Sequence, residues 1–180
     1  SSADFLARDR AVVIGRAPRR LDVMGGIPDY SGSLVLEMPL ACATFVVAQA
    51  QDARRLDVLS LREGQPFRFG IDLAEITTGG AAGTPDALAD RFAEDASDRW
   101  AAYVVGSVYR CLTANQVAPS HGLRLLITSD VPEGKGVSSS AALEVATMAS
   151  AAASYGLDMD GASLAAACQW AENHIARAPC

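Results

Sequence analysis

The stretch Pro132-Glu133-Gly134-Lys135-Gly136-Val137-Ser138-Ser139-Ser140-Ala141-Ala142 constrains the fold of this chain more than any other. It follows a compact apolar run, Gly122 to Thr128, and opens an alanine-rich segment that reaches Tyr155. Alanine is the best helix former, and glycines followed by serines supply a bend and helix-starting residues, so the pattern predicts strand, tight loop, helix. Backbone N–H groups of such a loop converge with the unpaired N–H groups and positive dipole of the helix start, which suits phosphate. The same residues also suit a plain strand-to-helix turn, where small residues and capping serines are ordinary. The Gly-Lys-Ser/Thr ending of the Walker phosphate loop is missing, because Lys135 stands between two glycines. A nucleotide held here implies a different kinase architecture.

With 180 residues, half of them hydrophobic, the chain has material for one domain with a real core. A formal charge of -6 argues against a nucleic-acid surface, which leaves a basic footprint. Phosphate capture must then be local. Arg16, Arg19 and Arg20 form the main basic cluster, and clustered arginines usually face solvent. No apolar run approaches the roughly 20 residues needed to cross a bilayer, and the N-terminus lacks a charged-then-apolar signal pattern, so no membrane partner and a cytoplasmic location are expected. Cys42, Cys111, Cys168 and Cys180 share no metal-type pairing and read as free thiols, two of them inside apolar stretches. His121 and His174 are too few and too separated for a histidine metal site.

Short strands are predicted at Ala11 to Ile14 and Leu34 to Leu36, on either side of the turn-rich Gly25-Gly26-Ile27-Pro28-Asp29-Tyr30-Ser31-Gly32. Ala43 to Ala50, Arg55 to Leu61 and Phe67 to Ile71 read as further strands of an antiparallel meander. A flexible connection is expected over Gly79 to Ala96, with a short helix at Asp86 to Phe92. Trp100, Tyr103, Val104, Ser107, Val108, Cys111 and Leu112 recur at three- and four-residue steps, the buried face of a helix over Asp98 to Asn115. After the loop, helices are predicted over Ser138 to Tyr155 and Gly161 to Ala176. Strands first, then strand and helices without regular βαβ alternation, define an α+β domain. No internal repeat divides the chain.

The loop string resembles the second signature of the galactokinase, homoserine kinase, mevalonate kinase and phosphomevalonate kinase superfamily (GHMP kinases), Pro-x-Gly-x-Gly-Leu-Ser-Ser-Ser-Ala, with Val137 for Leu as the one departure. Near the N-terminus, Ala17-Pro18-Arg19-Arg20-Leu21-Asp22-Val23-Met24-Gly25-Gly26-Ile27-Pro28-Asp29-Tyr30-Ser31-Gly32 resembles the galactokinase signature Ala-Pro-Gly-Arg-Val-Asn-Leu-Ile-Gly-Glu-His-Thr-Asp-Tyr-Asn-Gly. The two occur in family order. The resemblance implies a GHMP kinase N-terminal domain over residues 1–180, with a mixed, mostly antiparallel sheet packed on helices, and a C-terminal GHMP domain that lies outside this chain. It implies an ATP-dependent sugar kinase, with ATP, Mg²⁺ and a small sugar as its ligands. Gly134, Gly136, Ser138, Ser139 and Ser140 would bind ATP. Arg20 would be the catalytic arginine, stabilising charge on the phosphoryl oxygens. Asp29 matches the aspartate that accepts hydrogen bonds from sugar hydroxyls, although Pro-Asp-Tyr-Ser-Gly is also good turn sequence. Glu172 resembles the glutamate that shares Mg²⁺ with the last serine, here Ser140; on its own it reads as a plain helix carboxylate.

Gly26 and Ile27 stand where galactokinases carry Glu-His, the pair that contacts the exocyclic hydroxymethyl of galactose. A hydrogen and an alkyl chain offer that hydroxyl no partner and fill its place, so a sugar lacking the group fits better. L-arabinopyranose is such a sugar, and the Asp22 to Leu36 run is similar to that of L-arabinokinases. Galactose, fucose or a heptose phosphate remain alternative substrates, and a non-catalytic sugar- and ATP-binding regulator is the alternative of another class. Arg19 and Arg177 replace family glycines. In the family the final segment continues from Pro-Cys into Gly-Ile-Met-Asp-Gln, whose aspartate serves as base; the chain reads to Pro179-Cys180, and the 180 residues alone are expected to be inactive.

Overall fold

The computed structural model describes residues 4–25, 32–61, 66–77, 83–95, 98–130 and 138–178. Five strands, β1 (Val13–Met24), β2 (Leu36–Gln51), β3 (Arg55–Leu61), β4 (Phe67–Asp72) and β5 (Gly122–Ser129), form one sheet in the order β1-β2-β5-β3-β4. β5 runs parallel to β3 and antiparallel to β2, while β1–β2 and β3–β4 are antiparallel pairs. The sheet is therefore mixed and mostly antiparallel. It departs from the expected meander at one point: β5 inserts between β2 and β3, so those consecutive strands are not neighbours.

β1 and β2 are also much longer than their apolar runs suggest. Pro18 lies inside β1, where it is tolerated because β1 is an edge strand. The pairing register shifts between Pro18 and Arg20 and again between Asp22 and Met24. Each irregularity breaks the period-two alternation by which a strand is read from sequence.

The helices are α1 (Leu73–Thr77), α2 (Pro85–Glu94), α3 (Ala101–Ala114), α4 (Ser139–Ser154) and α5 (Gly161–Ala171), the last running on into a π-helical turn, Glu172–Ala176. Local chemistry sets their starts. Ala87 N donates to the Thr84 side chain at 3.2 Å, with Pro85 in the first turn, and Ser163 N donates to Asp160 Oδ1 at 2.7 Å. α4 lies against β1 and β2, α3 packs beside it, and α5 lies on both, its π-turn resting against α3 and α2. Val46, Leu56, Val58, Leu123, Leu125 and Ile127 of the sheet meet Val104, Val108, Leu112 and Met148 of the helices in one buried core. The predicted α3 face is confirmed at Val104, Ser107, Val108, Cys111 and Leu112, while Trp100 and Tyr103 at its start are half-buried.

Two glycines set the close approaches around the site. A Cβ on Gly15 of β1 would overlap the main-chain oxygen of Ala146, so an alanine-rich α4 and a glycine on β1 together bring helix and strand into backbone contact. A Cβ on Gly106 of α3 would stand 3.0 Å from Ile175 Cβ, which seats the π-turn on α3. Cys42, Cys111 and Cys168 are free, the latter two buried, and Cys180 lies outside the described residues. Among the described residues no helix is long and apolar enough to cross a membrane.

Candidate functional site

β1 and β2 continue as a ribbon past the end of β5. Ala17 pairs with Thr44 and Thr44 with Ser129, while Asp130 Oδ1 accepts a hydrogen bond from Ala43 N at 2.5 Å. Arg20 and Glu37 lie further along the ribbon, at the same end of the sheet where the chain leaves β5 for the glycine loop. Arg20 is ion-paired with Glu37, both partly buried. Arg19 sits at the register shift beside it. Arg19 Nε and Glu37 Oε2 are buried and without partners among the described residues. Gly26, Ile27 and Asp29, expected at the sugar, lie outside the described residues, as do Gly134 and Gly136 of the loop.

Ser138, Ser139 and Ser140 are placed at the start of α4. Ser138 adopts the left-handed conformation (φ 58°, ψ 46°), and its side chain makes no capping hydrogen bond. A non-glycine residue held there is strained by roughly 1 kcal/mol or more, the kind of local strain found where backbone is held for function. Among the described residues, then, no side-chain cap of Ser138 serves the first turn of α4, whose amides are the unpaired donors of any helix start.

Four residues after Ser140, Glu144 lies on the same face of α4 and only 1 % exposed. Glu172, the first residue of the π-turn, is also buried, and its carboxyl is in hydrogen-bonding contact with that of Glu144. Burial pushes the Glu144 carboxyl up to about 9, and the neighbouring Glu172 charge and hydrogen bond add to the shift. The field of the pair extends further: Tyr103 of α3 is raised by burial and then by Glu172 and Glu144, and burial followed by the same two carboxyls raises Cys168 of α5 to about 12. Among the described residues no basic side chain pairs with either carboxyl, and Glu144 Oε1 has no hydrogen-bond partner.

The π-turn produces this arrangement. Its wider winding leaves the Glu172 carbonyl to accept from both Arg177 N and Ala178 N. Arg177 closes the turn in the left-handed region at φ 51°, the geometry that a family glycine would adopt without strain, and its guanidinium is ion-paired to Asp90 of α2 at 2.8 Å.

Arg20, the three serines and Glu172 were all legible as candidates, but Glu144 was not. The signal available was a single carboxylate in an otherwise apolar, alanine-rich helix, one turn after Ser140.

Residues 102–180 match the family model for the GHMP kinases N terminal domain. Over that stretch the chain is similar to the GHMP kinases, and its fold is that of their N-terminal domain. Within that class it is similar to the L-arabinokinase of Arabidopsis thaliana, at 40% identity over 196 residues that cover 96% of this chain and 19% of that protein. It is 33% identical to the galactokinase of Homo sapiens over 169 residues, covering 91% of this chain and 38% of that protein. The chain thus spans well under half the length of these relatives. Its fold is shared with the crystal structure of Lactococcus lactis galactokinase complexed with galactose (TM-score 0.74, 22% identity, 97% of this chain and 40% of that chain). It is likewise shared with Methanococcus jannaschii mevalonate kinase (TM-score 0.73, 15% identity, 97% and 49%).

Proposed function

We propose that this domain belongs to a sugar-1-kinase that transfers the γ-phosphoryl group of ATP to the anomeric hydroxyl of a galactose-configured sugar, with L-arabinose favoured over galactose. The observation that carries the reading is the start of α4, where Ser138 is held in the left-handed conformation with no side-chain cap and Ser139 and Ser140 open the helix. Residues 1–180 would form the N-terminal domain, completed by a C-terminal GHMP domain in the same protein.

The donor set suits Mg²⁺: a serine hydroxyl and a buried carboxylate are hard oxygen ligands, and the carboxyl pair has no described cationic partner. Ser140 and Glu172 would hold the ion, which when bound screens phosphate charge and orients the phosphates. Loop amides from Gly134 to Ser140 and the dipole of α4 would cradle the triphosphate. Arg20 would stabilise charge on the transferring phosphoryl oxygens, with Glu37 fixing its guanidinium. Asp29 would accept hydrogen bonds from ring hydroxyls, and Gly26 and Ile27 would close off the space of a hydroxymethyl group. As the C1 oxygen forms its bond to the γ-phosphorus, the bond from that phosphorus to the ADP oxygen breaks. The hydroxyl proton passes to a carboxylate base, which the family resemblance puts past Cys180, and the products are sugar 1-phosphate and ADP.

The test is ADP release by the full-length protein across L-arabinose, galactose, fucose and a heptose phosphate. The reading expects L-arabinose to be turned over faster than galactose. Equal or reversed rates would remove the Gly26–Ile27 argument, and no turnover of any sugar would favour a regulator.

A further inference from the structure

The face of the sheet turned away from the helices carries a separate concentration of charge. Leu123, Leu125 and Ile127 of β5 point into the helical core, so Arg124 faces the other way. There an open cavity of about 670 Å³ is lined by Arg124, by Arg55 and Asp57 of β3 and by Arg68 of β4, with Asp4 and Phe5 of the N-terminal segment as one wall. Three guanidinium groups against two carboxylates make the cavity an exception in a chain of net charge -6. Arg124 stands five residues before Ser129, about 17 Å along β5 from the end that feeds the glycine loop. Cavity and loop therefore lie at opposite ends of the strand.

The guanidinium groups are held in place. Gln51, 5 % exposed, accepts from Arg124 Nε at 3.1 Å and donates to Asp57 Oδ2 at 2.9 Å, while Arg55 Nε donates to Asp57 Oδ1 at 2.7 Å. This network engages both arginines through Nε and leaves their Nη groups without hydrogen-bond partners among the described residues. Gly70 of β4 makes room for one of them, since a Cβ there would overlap Arg55 Nη2. Arg68 stands outside the network: its guanidinium lies 5.9 Å from the Phe5 ring centroid and has no ion-pair partner among the described residues. The wall that carries Phe5 is itself anchored, as Ala7 N donates to the buried Gln49 Oε1 at 2.7 Å and Gln49 Nε2 donates to Ala7 O at 2.8 Å. Exposed ion pairs contribute little to stability and Arg68 joins none, so upkeep of the fold does not account for the arrangement.

We propose that this cavity on the far face of the sheet binds a small polyhydroxylated phosphate ester, its phosphate on Arg55, Arg68 and Arg124. Guanidinium forks match phosphate oxygens in pairs, and forks already oriented through Nε lose little freedom when they bind. Asp57 and Asp4 supply acceptors for hydroxyl groups, which an inorganic anion lacks and a polyol ester provides. The volume is in the range of small-molecule pockets, about 300 to 1,000 Å³, and leaves room for more than a bare phosphate. The two carboxylates and the negative chain disfavour a long polyanion such as a nucleic acid. The proposal is independent of the kinase reading, because none of these residues belongs to the phosphate loop, the arginine on the ribbon or the Glu172 turn.

The experiment follows phenylglyoxal modification of the full-length protein, arginine by arginine, by mass spectrometry of its peptides. Ribose 5-phosphate, inorganic phosphate, sulfate and ribose are the probes, and Arg91 of α2 is the internal reference. Ribose 5-phosphate should protect Arg68 and Arg124 and leave Arg91 unchanged, while ribose alone should protect neither. Inorganic phosphate and sulfate should need about tenfold higher concentrations for half-protection, because they make no hydroxyl contacts. Arg124→Gln should raise the half-protecting concentration of ribose 5-phosphate at Arg68 by about tenfold or more, and Arg91→Gln should not change it. Arg124→Gln also loses the bond to Gln51, so Arg68→Gln, which breaks no hydrogen bond among the described residues, is the second variant; it should weaken protection of Arg124 to a similar degree. No protection of Arg68 in the wild type, or equal protection of Arg91, overturns the site. Protection that survives undiminished in both variants overturns it as well, since the arginines would not act together. Equal half-protecting concentrations for the ester and either inorganic anion would leave only a general anion patch and overturn the ester assignment, and protection by ribose would overturn the role of the phosphate.

Discussion

Glu144→Gln should make the protein more stable at neutral pH and remove part of its pH dependence. The ordinary value for a glutamate is 4.5, and in the folded chain Glu144 is raised to about 9. Below 4.5 both folded and unfolded states hold the proton, and the group has no effect. Between the two values the unfolded chain releases the proton and the folded chain keeps it, so stability falls as pH rises, by about 1.4 kcal/mol per pH unit. Above the folded value the slope vanishes. At pH 7, about two and a half units above 4.5, the native state is destabilised by roughly 3 kcal/mol relative to acid conditions. That figure does not depend on the folded value so long as it stays well above 7.

Glutamine at 144 removes the titration while keeping the shape of the side chain. The assay is equilibrium urea denaturation of wild type and Glu144→Gln at several pH values between 5 and 8, in EDTA, followed by the fluorescence of Trp100 and Trp170. All other titrating groups are common to the two proteins, so the difference between their stability curves isolates residue 144. The difference should be small at pH 5 and should widen to about 2 to 3 kcal/mol in favour of glutamine by pH 7. Parallel curves would refute the reasoning, since they would mean that the carboxyl ionises in the folded state as it does in the unfolded one. A difference of the opposite sign would mean that a buried cationic partner stabilises the carboxylate.

Three further outcomes are expected. Arg20→Ala in the full-length protein should lower kcat by about 100-fold or more in the ADP-release assay with little change in nucleotide affinity, because on the proposed reading the guanidinium acts on charge that develops during transfer; a change in KM alone would reassign Arg20 to binding. Gly15→Ala should lower stability by about 1 to 3 kcal/mol in urea, because the new methyl meets the main-chain oxygen of Ala146 and no side-chain rotation relieves it. Gly26→Glu combined with Ile27→His should move the ratio of kcat/KM from L-arabinose toward galactose by about 10-fold or more, and an unchanged ratio would place the hydroxymethyl selection elsewhere.

Much of the candidate site was legible because its local sequence is strong at the right places. Glycines and serines between an apolar run and an alanine-rich run define a strand-loop-helix unit whatever packs around it, and α4 begins within one residue of the expected Ser138. Arg20 and Glu172 were found by resemblance, and neither is marked by periodicity. What the pattern hid is non-local. β5 enters the sheet between β2 and β3 because of a pairing made across more than sixty residues of chain, and nothing in the apolar runs at Arg55 or Gly122 announces it. The sequence shows the ribbon of β1 and β2 only as short strands at Ala11 to Ile14, Leu34 to Leu36 and Ala43 to Ala50, because Pro18, two register shifts and a run of exposed residues disguise strand alternation.

Glu144 is the clearest case of a residue whose role depends on what packs over it. In α4 alone it is one charge in an apolar helix, and the bland expectation is a solvated face. Only when α5 and its π-turn close over α3 and α4 does the carboxyl become buried, and only then does Glu172 arrive beside it. The contact that seats the turn is in turn set by Gly106, where any larger side chain would press on Ile175. The environment of Glu144 is thus coupled to core packing: a change at Gly106 that lifted the π-turn would move Glu172 without touching either carboxyl. It would expose the Glu144 carboxyl and bring it back toward the ordinary carboxylate range, so altered packing at α3 should appear as a weaker pH dependence of stability between pH 5 and 8.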